Sequence, residues 1–200
     1  MYCILITGIP AAGKSTMAKL LGKELGLPVI SKDSIKEKLF DNVGFRSREE
    51  KVKLGVAAMD IMYYTAGQLM QAGLPFILEN NFETSSREGL QTLLNEYGYR
   101  ALTVTLTGDC EIIYRRYLER NTSPDRHRGH VVNDRYPEVT PRSADELAAL
   151  AIPYESFLHG TEQRGFDSFS MGEQIRVDVT DFALVDTETL IEKLRIWCGS

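Results

Sequence analysis

Two kinds of apolar run alternate along the chain. Short, β-branched runs predict strands at Cys3–Thr7, Val29–Ser31, Phe76–Glu79, Ala101–Thr107 and Ile175–Val179. Runs with apolar residues three and four apart predict helices at Lys14–Leu25, Ser34–Phe40, Arg48–Gln71, Ser85–Tyr97, Glu111–Arg120, Asp145–Leu158 and Glu188–Trp197. Such alternation predicts an α/β fold around a parallel sheet, with the very short Val29–Ser31 strand at an edge. Ser34 with Glu37, and Ser143 with Glu146, have the spacing of helix-start capping boxes. Pro153 is expected to kink or split its helix. In the long third helix Val52, Val56, Met59, Met62, Tyr63 and Leu69 share roughly one face, which reads as core, with the Met-Tyr-Tyr end a candidate wall for a pocket.

One segment breaks the pattern. Residues 121–142 hold Pro124, Pro137, Pro141 and Gly129 with few aliphatics, and read as a long loop or small lid inside a single 1–200 domain. Composition adds less. The chain of 200 residues is 43% hydrophobic and 26% charged, enough to bury a real core. Its net charge of −5 disfavours a nucleic-acid partner over the whole surface, while leaving room for a local patch. Cys3, Cys110 and Cys198 are widely spaced and suggest neither disulfides nor zinc, and no signal peptide or membrane span is evident. The expected compartment is the cytoplasm.

The stretch between the first strand and the first helix carries the strongest chemical signal. Gly8-Ile9-Pro10-Ala11-Ala12-Gly13-Lys14-Ser15 reads G-x-x-x-x-G-K-S, the P-loop, and Thr16 continues into the helix. Strand, glycine loop and helix form the context the motif demands. Gly8 and Gly13 allow a tight curl that turns amide N–H groups toward one anion. The helix start adds free N–H groups and the positive end of its dipole. Lys14 can reach the β- and γ-phosphates, and the Ser15 hydroxyl can ligate Mg²⁺.

Three further groups belong at the same carboxyl edge of the sheet. Asp33, just past the second strand, either orients and accepts a proton from an attacking hydroxyl or caps the helix that follows. Glu79 ends the third strand and is a candidate for Mg²⁺ through water. Asn80 and Asn81 follow it, to hold substrate or to cap Thr84-Ser85-Ser86. From Arg115 to Arg142 seven arginines outnumber four acids, so this part of an acidic chain is basic. Arg116 and Arg120 lie four apart on one helix face and are both candidates to bind nucleotide, and Arg120 and Arg126 are candidates for phosphate contact. Arg115 and Arg142 read as solvated surface charges. His127 and His130 make a poor zinc site and read as hydrogen-bonding residues. Thr180–Phe182, after the last strand, are candidates to touch an adenine.

Taken in order, these motifs resemble the small ATP-dependent P-loop kinases, over nearly the whole chain. The residues are the P-loop, Leu27–Asp33, Ile77-Leu78-Glu79-Asn80-Asn81-Phe82 with Arg87, Arg116/Arg120 and Arg126-His127-Arg128-Gly129-His130. The branch most similar is the AAA-domain kinase-like group, with phage-type polynucleotide 5′-kinases, zeta toxins and chloramphenicol phosphotransferases. The resemblance implies a three-layer P-loop NTPase sandwich with a five-stranded parallel sheet in order 2-3-1-4-5 and an arginine-bearing lid. It implies ATP and Mg²⁺ as cofactors, with Lys14 and Ser15 on phosphate and metal, Asp33 as base, and Arg120 and Arg126 as lid arginines. It implies transfer of a γ-phosphate to the hydroxyl of a small molecule, the alternatives being a polynucleotide 5′-hydroxyl or a nucleotide-binding switch without an acceptor. The polynucleotide branch tends to carry Asp where Glu79 stands, which weighs for the small molecule. No N-K-x-D tetrapeptide of a GTPase occurs.

Overall fold

The computed structural model describes residues 1–199. In chain order the elements are β1 (Tyr2–Gly8), α1 (Lys14–Leu25), β2 (Val29–Ser31), α2 (Lys32–Val43), α3 (Arg48–Gln71) and β3 (Phe76–Glu79). There follow α4 (Arg87–Tyr97), β4 (Arg100–Thr107), α5 (Cys110–Thr122), α6 (Arg128–Val131), α7 (Ala144–Ala148), α8 (Tyr154–Arg164), β5 (Glu173–Asp178) and α9 (Thr187–Cys198). The five strands form one parallel sheet in the order β2-β3-β1-β4-β5, as the resemblance implies. Three-residue β2 is an edge strand, consistent with its few unpaired groups.

Each sheet face is covered, so β1, β3 and β4 are largely buried on both sides, β4 with Thr103 and Thr105 on one of them. One face packs Ile4, Ile6, Ile77 and Val104 against α1, α8 and α9. The other packs Leu5, Phe76, Leu78 and Ala101 against α3 and α4, through Met62, Ala66, Met70, Leu90 and Leu94. Because every strand runs the same way, all five carboxyl ends open on one edge, where the loops that carry chemistry gather.

Several local expectations change. Helix α2 begins at Lys32, and its cap is the Ser31 hydroxyl, which accepts from the Ser34 amide. Ser34 is therefore inside the helix, and Glu37 turns to His130 instead of closing a capping box. Ser143 and Glu146 do form a reciprocal capping box, at the start of α7. The run expected over 145–158 is two helices, α7 and α8, with Pro153 as the cap residue of the second. On α3, Val52 and Val56 are 53% and 57% exposed, whereas Lys51 is buried. The helix is turned so that Lys51, Ala58, Met62 and Ala66 face inward. Tyr63 is committed to Ser86 and donates its hydroxyl to that carbonyl at 3.0 Å.

Residues 121–142 are not a free loop. Lys51 Nζ donates to the carbonyls of His130 and Val132, at 2.9 and 2.6 Å, and to Asn133 Oδ1 at 3.0 Å. An isolated bridge pairs Tyr136 with Phe45. Phe40, Phe45 and Val132 form a small buried cluster between α2 and this segment. His127 and His130 bond Asp41 and Glu37 of α2, each at 3.0 Å. Arg142 is no solvated charge. It clasps Asp134 at 2.6 Å and Glu138 at 3.0 Å, and its carbonyl accepts from Arg128. Among the described residues no helix is long and apolar enough to cross a membrane, and all three cysteines are free.

Candidate active site

The P-loop runs from the end of β1 to the start of α1. Two glycines make its path possible. Gly8 has φ +137, and a Cβ there would lie 2.4 Å from the Leu106 carbonyl oxygen. Gly13 has φ +83, and a Cβ there would meet the Phe182 ring at 2.6 Å. Ala11 also adopts a left-handed φ of 69, a strained value for a residue with a side chain. Ile9 and Ala12 are buried beneath the loop and fix it to the sheet, while Pro10, Ala11, Gly13, Ser15 and Thr16 face outward into a cavity of about 780 Å³.

Lys14 is buried, and its Nζ donates to the Ile9 carbonyl at 2.8 Å, which closes the loop upon itself. Burial pushes Lys14 down to about 8, with Arg120 and Arg126 adding to the effect and Glu79 and Asp33 opposing it. Glu79 comes into the cavity from the end of β3. Ser31 Oγ donates to Glu79 Oε2 at 2.5 Å. Burial raises the Glu79 carboxyl, and Lys14 and Ser31 hold it back in part.

Asp33 faces the same cavity from the first turn of α2. The capping alternative does not apply to it, because Ser31 is the cap. Burial alone would raise its carboxyl. His130, Arg126, Lys36 and Lys14 more than offset this and hold it below the usual carboxylate range. Arg120, near the end of α5, and Arg126, in the segment beyond, close the cavity from the far side. The Nε atoms of both are buried without a hydrogen-bond partner, and burial pushes Arg120 down to about 10. Buried donors without acceptors are costly, so these two guanidinium groups are arranged for something that enters the cavity.

Arg116 is not brought to this cavity. Its guanidinium donates to the carbonyls of Val179 and Thr180, both at 2.6 Å, and lies 4.3 Å from the Phe182 ring centroid. Phe182 in turn lies over Gly13. Arg116 therefore braces the turn after β5 against the back of the P-loop, one helical turn away from Arg120. Asn81 lines the cavity, whereas Asn80 is buried and donates its side-chain amide to Met59 Sδ at 3.8 Å. The 3-10 turn Thr84–Ser86 is capped by Glu83, not by either asparagine. The sequence reading missed Arg48, Lys51 and Asn133, which also line the cavity. One signal for Lys51 exists: it falls on the stripe Lys51, Ala58, Met62, Ala66, where a lysine is out of place unless it has partners.

The residues fit a magnesium–nucleotide. The loop presents amides and Lys14 to an anion, and among the described residues two guanidinium groups on the same cavity have buried Nε atoms without acceptors. Ser15 and Glu79 supply one hydroxyl and one carboxylate, a donor set suited to a Mg²⁺ ion that keeps phosphate and water ligands.

Comparison with known proteins agrees with this geometry. Three solved structures share the fold. A candidate kinase from Chloroflexus aurantiacus J-10-fl is 24% identical, with TM-score 0.72, over 99% of this chain and 96% of its own. A gluconokinase from Sinorhizobium meliloti 1021 is 14% identical, with TM-score 0.56, over 100% and 97%. A shikimate kinase from Bacteroides thetaiotaomicron is 15% identical, with TM-score 0.51, over 100% and 99%. No curated protein sequence matches significantly. The family model described as an AAA domain (AAA_33) matches residues 3–136, more than half of the 200-residue chain. With its phosphate loop, its 2-3-1-4-5 sheet and this match, the chain belongs to the AAA domain family AAA_33, on the fold of the small P-loop kinases.

Proposed function

We propose that the protein is an ATP-dependent phosphotransferase that moves the γ-phosphate to the hydroxyl of a small-molecule acceptor. The observation that carries this reading is one cavity holding a phosphate cradle, a low-pKa carboxylate and two unpartnered arginines. A site that only bound nucleotide would have no use for Asp33 opposite the cradle.

The roles follow from the geometry. Backbone amides from Gly8 to Thr16 and the Lys14 ammonium grip the β- and γ-phosphates. Arg116, bonded to the Val179 and Thr180 carbonyls and set over Phe182, holds in place the turn after β5 that would meet the adenine. Ser15 would hold Mg²⁺ directly and Glu79 through water; bound there, the ion would supply charge neutralisation for the phosphates. Asp33, held ionised, accepts the hydrogen bond of the acceptor hydroxyl and aims its oxygen at the γ-phosphorus. As that oxygen bonds to phosphorus, the bond to the bridging β–γ oxygen breaks, ADP leaves with the electron pair, and the hydroxyl proton passes to Asp33. Arg120 and Arg126 meet the charge on the transferring group. Residues 121–142 serve as the lid that keeps water out.

The test is an ATP-consumption screen over sugars, hydroxy acids, antibiotics, nucleosides and 5′-hydroxyl oligonucleotides. Phosphorylation of a small molecule well above the rate of ATP hydrolysis is expected. Hydrolysis that no acceptor exceeds rejects the reading in favour of a nucleotide-binding switch, and preference for the oligonucleotides rejects the small molecule.

A further inference from the structure

The cavity carries more positive charge than a nucleotide alone accounts for. Lys14, Arg120 and Arg126 surround the place of the phosphates. On the other side of Asp33 stand Lys36 of α2 and Arg48 and Lys51 of α3. Among the described residues none of these three forms an ion pair with a carboxylate within 4.0 Å. The carboxylates near them are engaged elsewhere. Glu37 is bonded to His130, and Asp33 already faces Arg126, Lys36 and Lys14.

These three cations differ in what they have left to offer. Lys51 donates to three oxygens and is fully committed. Arg48 has given one bond, from Nη1 to Asn133 Oδ1 at 3.0 Å, and keeps the rest of its fork. Asn133 Oδ1 accepts from both Arg48 and Lys51, so Lys51 fixes the platform on which Arg48 rests. Among the described residues the Lys36 ammonium makes no hydrogen bond; it lies 5.3 Å from the Phe40 ring centroid, a contact that leaves its donors free. Lys36 lies three residues after Asp33 on one helix, about 4.5 Å along the axis and on the same face.

From this arrangement we infer that the acceptor is itself an anion, a hydroxy compound bearing a carboxylate or a phosphate ester, held by Lys36 and Arg48 while its hydroxyl meets Asp33. The inference rests on the phosphotransferase reading and names the substrate class of that site. Lys36, half-buried and sharing Asp33 with other cations, and Arg48, exposed with most of its fork unused, gain little from an uncharged sugar. A carboxylate or phosphate turns their desolvation into charge-assisted hydrogen bonds. The spacing of Asp33 and Lys36 sets the anion a few bonds from the reacting hydroxyl.

The protein loaded with Mg²⁺ and a non-hydrolysable ATP analogue is titrated calorimetrically with hydroxycarboxylates, sugar phosphates, uncharged polyols of matching size and 5′-hydroxyl oligonucleotides. At least one anionic set is expected to bind, and which one identifies the source of the charge. Its affinity is expected to fall on the order of 10–100-fold in Lys36→Met and in Arg48→Met, the scale of a lost hydrogen bond to a charged group. Lys36→Arg is expected to restore part of it. Arg48 is exposed at a helix start, so its loss leaves the fold intact and the result readable. The inference is overturned if uncharged polyols bind as well as the anions, if only 5′-hydroxyl oligonucleotides bind, if nothing binds, or if neither substitution weakens the anion. Failure of the phosphotransferase reading looks different: an anion that binds here through Lys36 and Arg48 and is never phosphorylated when ATP replaces the analogue.

Discussion

Asp33→Asn separates chemistry from stability more cleanly than any other substitution in the site. Asparagine keeps the size and one oxygen of the side chain and removes the charge and the proton acceptor. The structural cost is small, because Ser31, not Asp33, caps α2. What is lost is a negative charge in the first helical turn, about 0.3–1 kcal/mol, and its attraction to His130, Arg126, Lys36 and Lys14. A total of about 1–2 kcal/mol lowers the melting temperature of a domain this size by roughly 2–8 °C. A protein with the usual ~5–15 kcal/mol of stability stays more than ~99% folded after that loss. Loss of a general base costs on the order of 10²–10⁴ in rate, or about 2.7–5.4 kcal/mol of barrier. Partial unfolding cannot account for such a drop. The assay is coupled ADP release with the acceptor found by the screen, alongside a thermal melt and ATP binding by calorimetry. The expected result is a fall in kcat of at least a hundredfold with near-normal ATP affinity. A kcat within tenfold of the parent refutes the reasoning, and Asp33 is then only an electrostatic neighbour of the cradle.

Three other outcomes follow from the same geometry. Without ligand Lys14 loses its proton near pH 8, and bound phosphate raises that value, so binding takes up a proton above pH 8. Apparent ATP affinity should fall up to tenfold per unit as pH rises past 8, and calorimetry at pH 9 in two buffers of different ionisation enthalpy should show the uptake; its absence rejects the role. Lys51→Met strands the His130 and Val132 carbonyls and Asn133 Oδ1, which should cost about 2–4 kcal/mol in urea unfolding and speed amide exchange over 128–133; a loss under ~1 kcal/mol refutes it. Gly8→Ala must move the Leu106 carbonyl or the loop, since the new Cβ would sit 2.4 Å from that oxygen at φ +137; a loss of about 3 kcal/mol or more is expected, and a melting temperature within ~2 °C of the parent would count against the loop path described.

The sequence carried the sheet because strands buried on both faces leave unbroken apolar runs, and it carried the cradle because few turns but a phosphate loop need that glycine and lysine spacing. It was ambiguous wherever the decisive partner lies far along the chain. Ser34 with Glu37 read as the capping box, but the cap is Ser31, whose hydroxyl also reaches Glu79, 48 residues on. Arg116 and Arg120 share a helix face, yet spacing names the face and not the neighbour: one meets carbonyls after β5, the other opens into the cavity. Arg142 looked like surface because Asp134 and Glu138 become its partners only once residues 134–142 double back. Lys51 was hidden for the same reason, its acceptors lying about 80 residues away.

The Ser31 hydroxyl ties two halves of the cleft that are otherwise built on separate strands. It is at once the anchor of the helix bearing Asp33 and the donor to Glu79. On the proposed phosphotransferase reading, a divalent ion accompanying the nucleotide would draw on that same carboxylate and compete with the hydroxyl that caps the helix. Occupancy at Glu79 would then bear on the seating of the helix that carries Asp33 through a single oxygen atom.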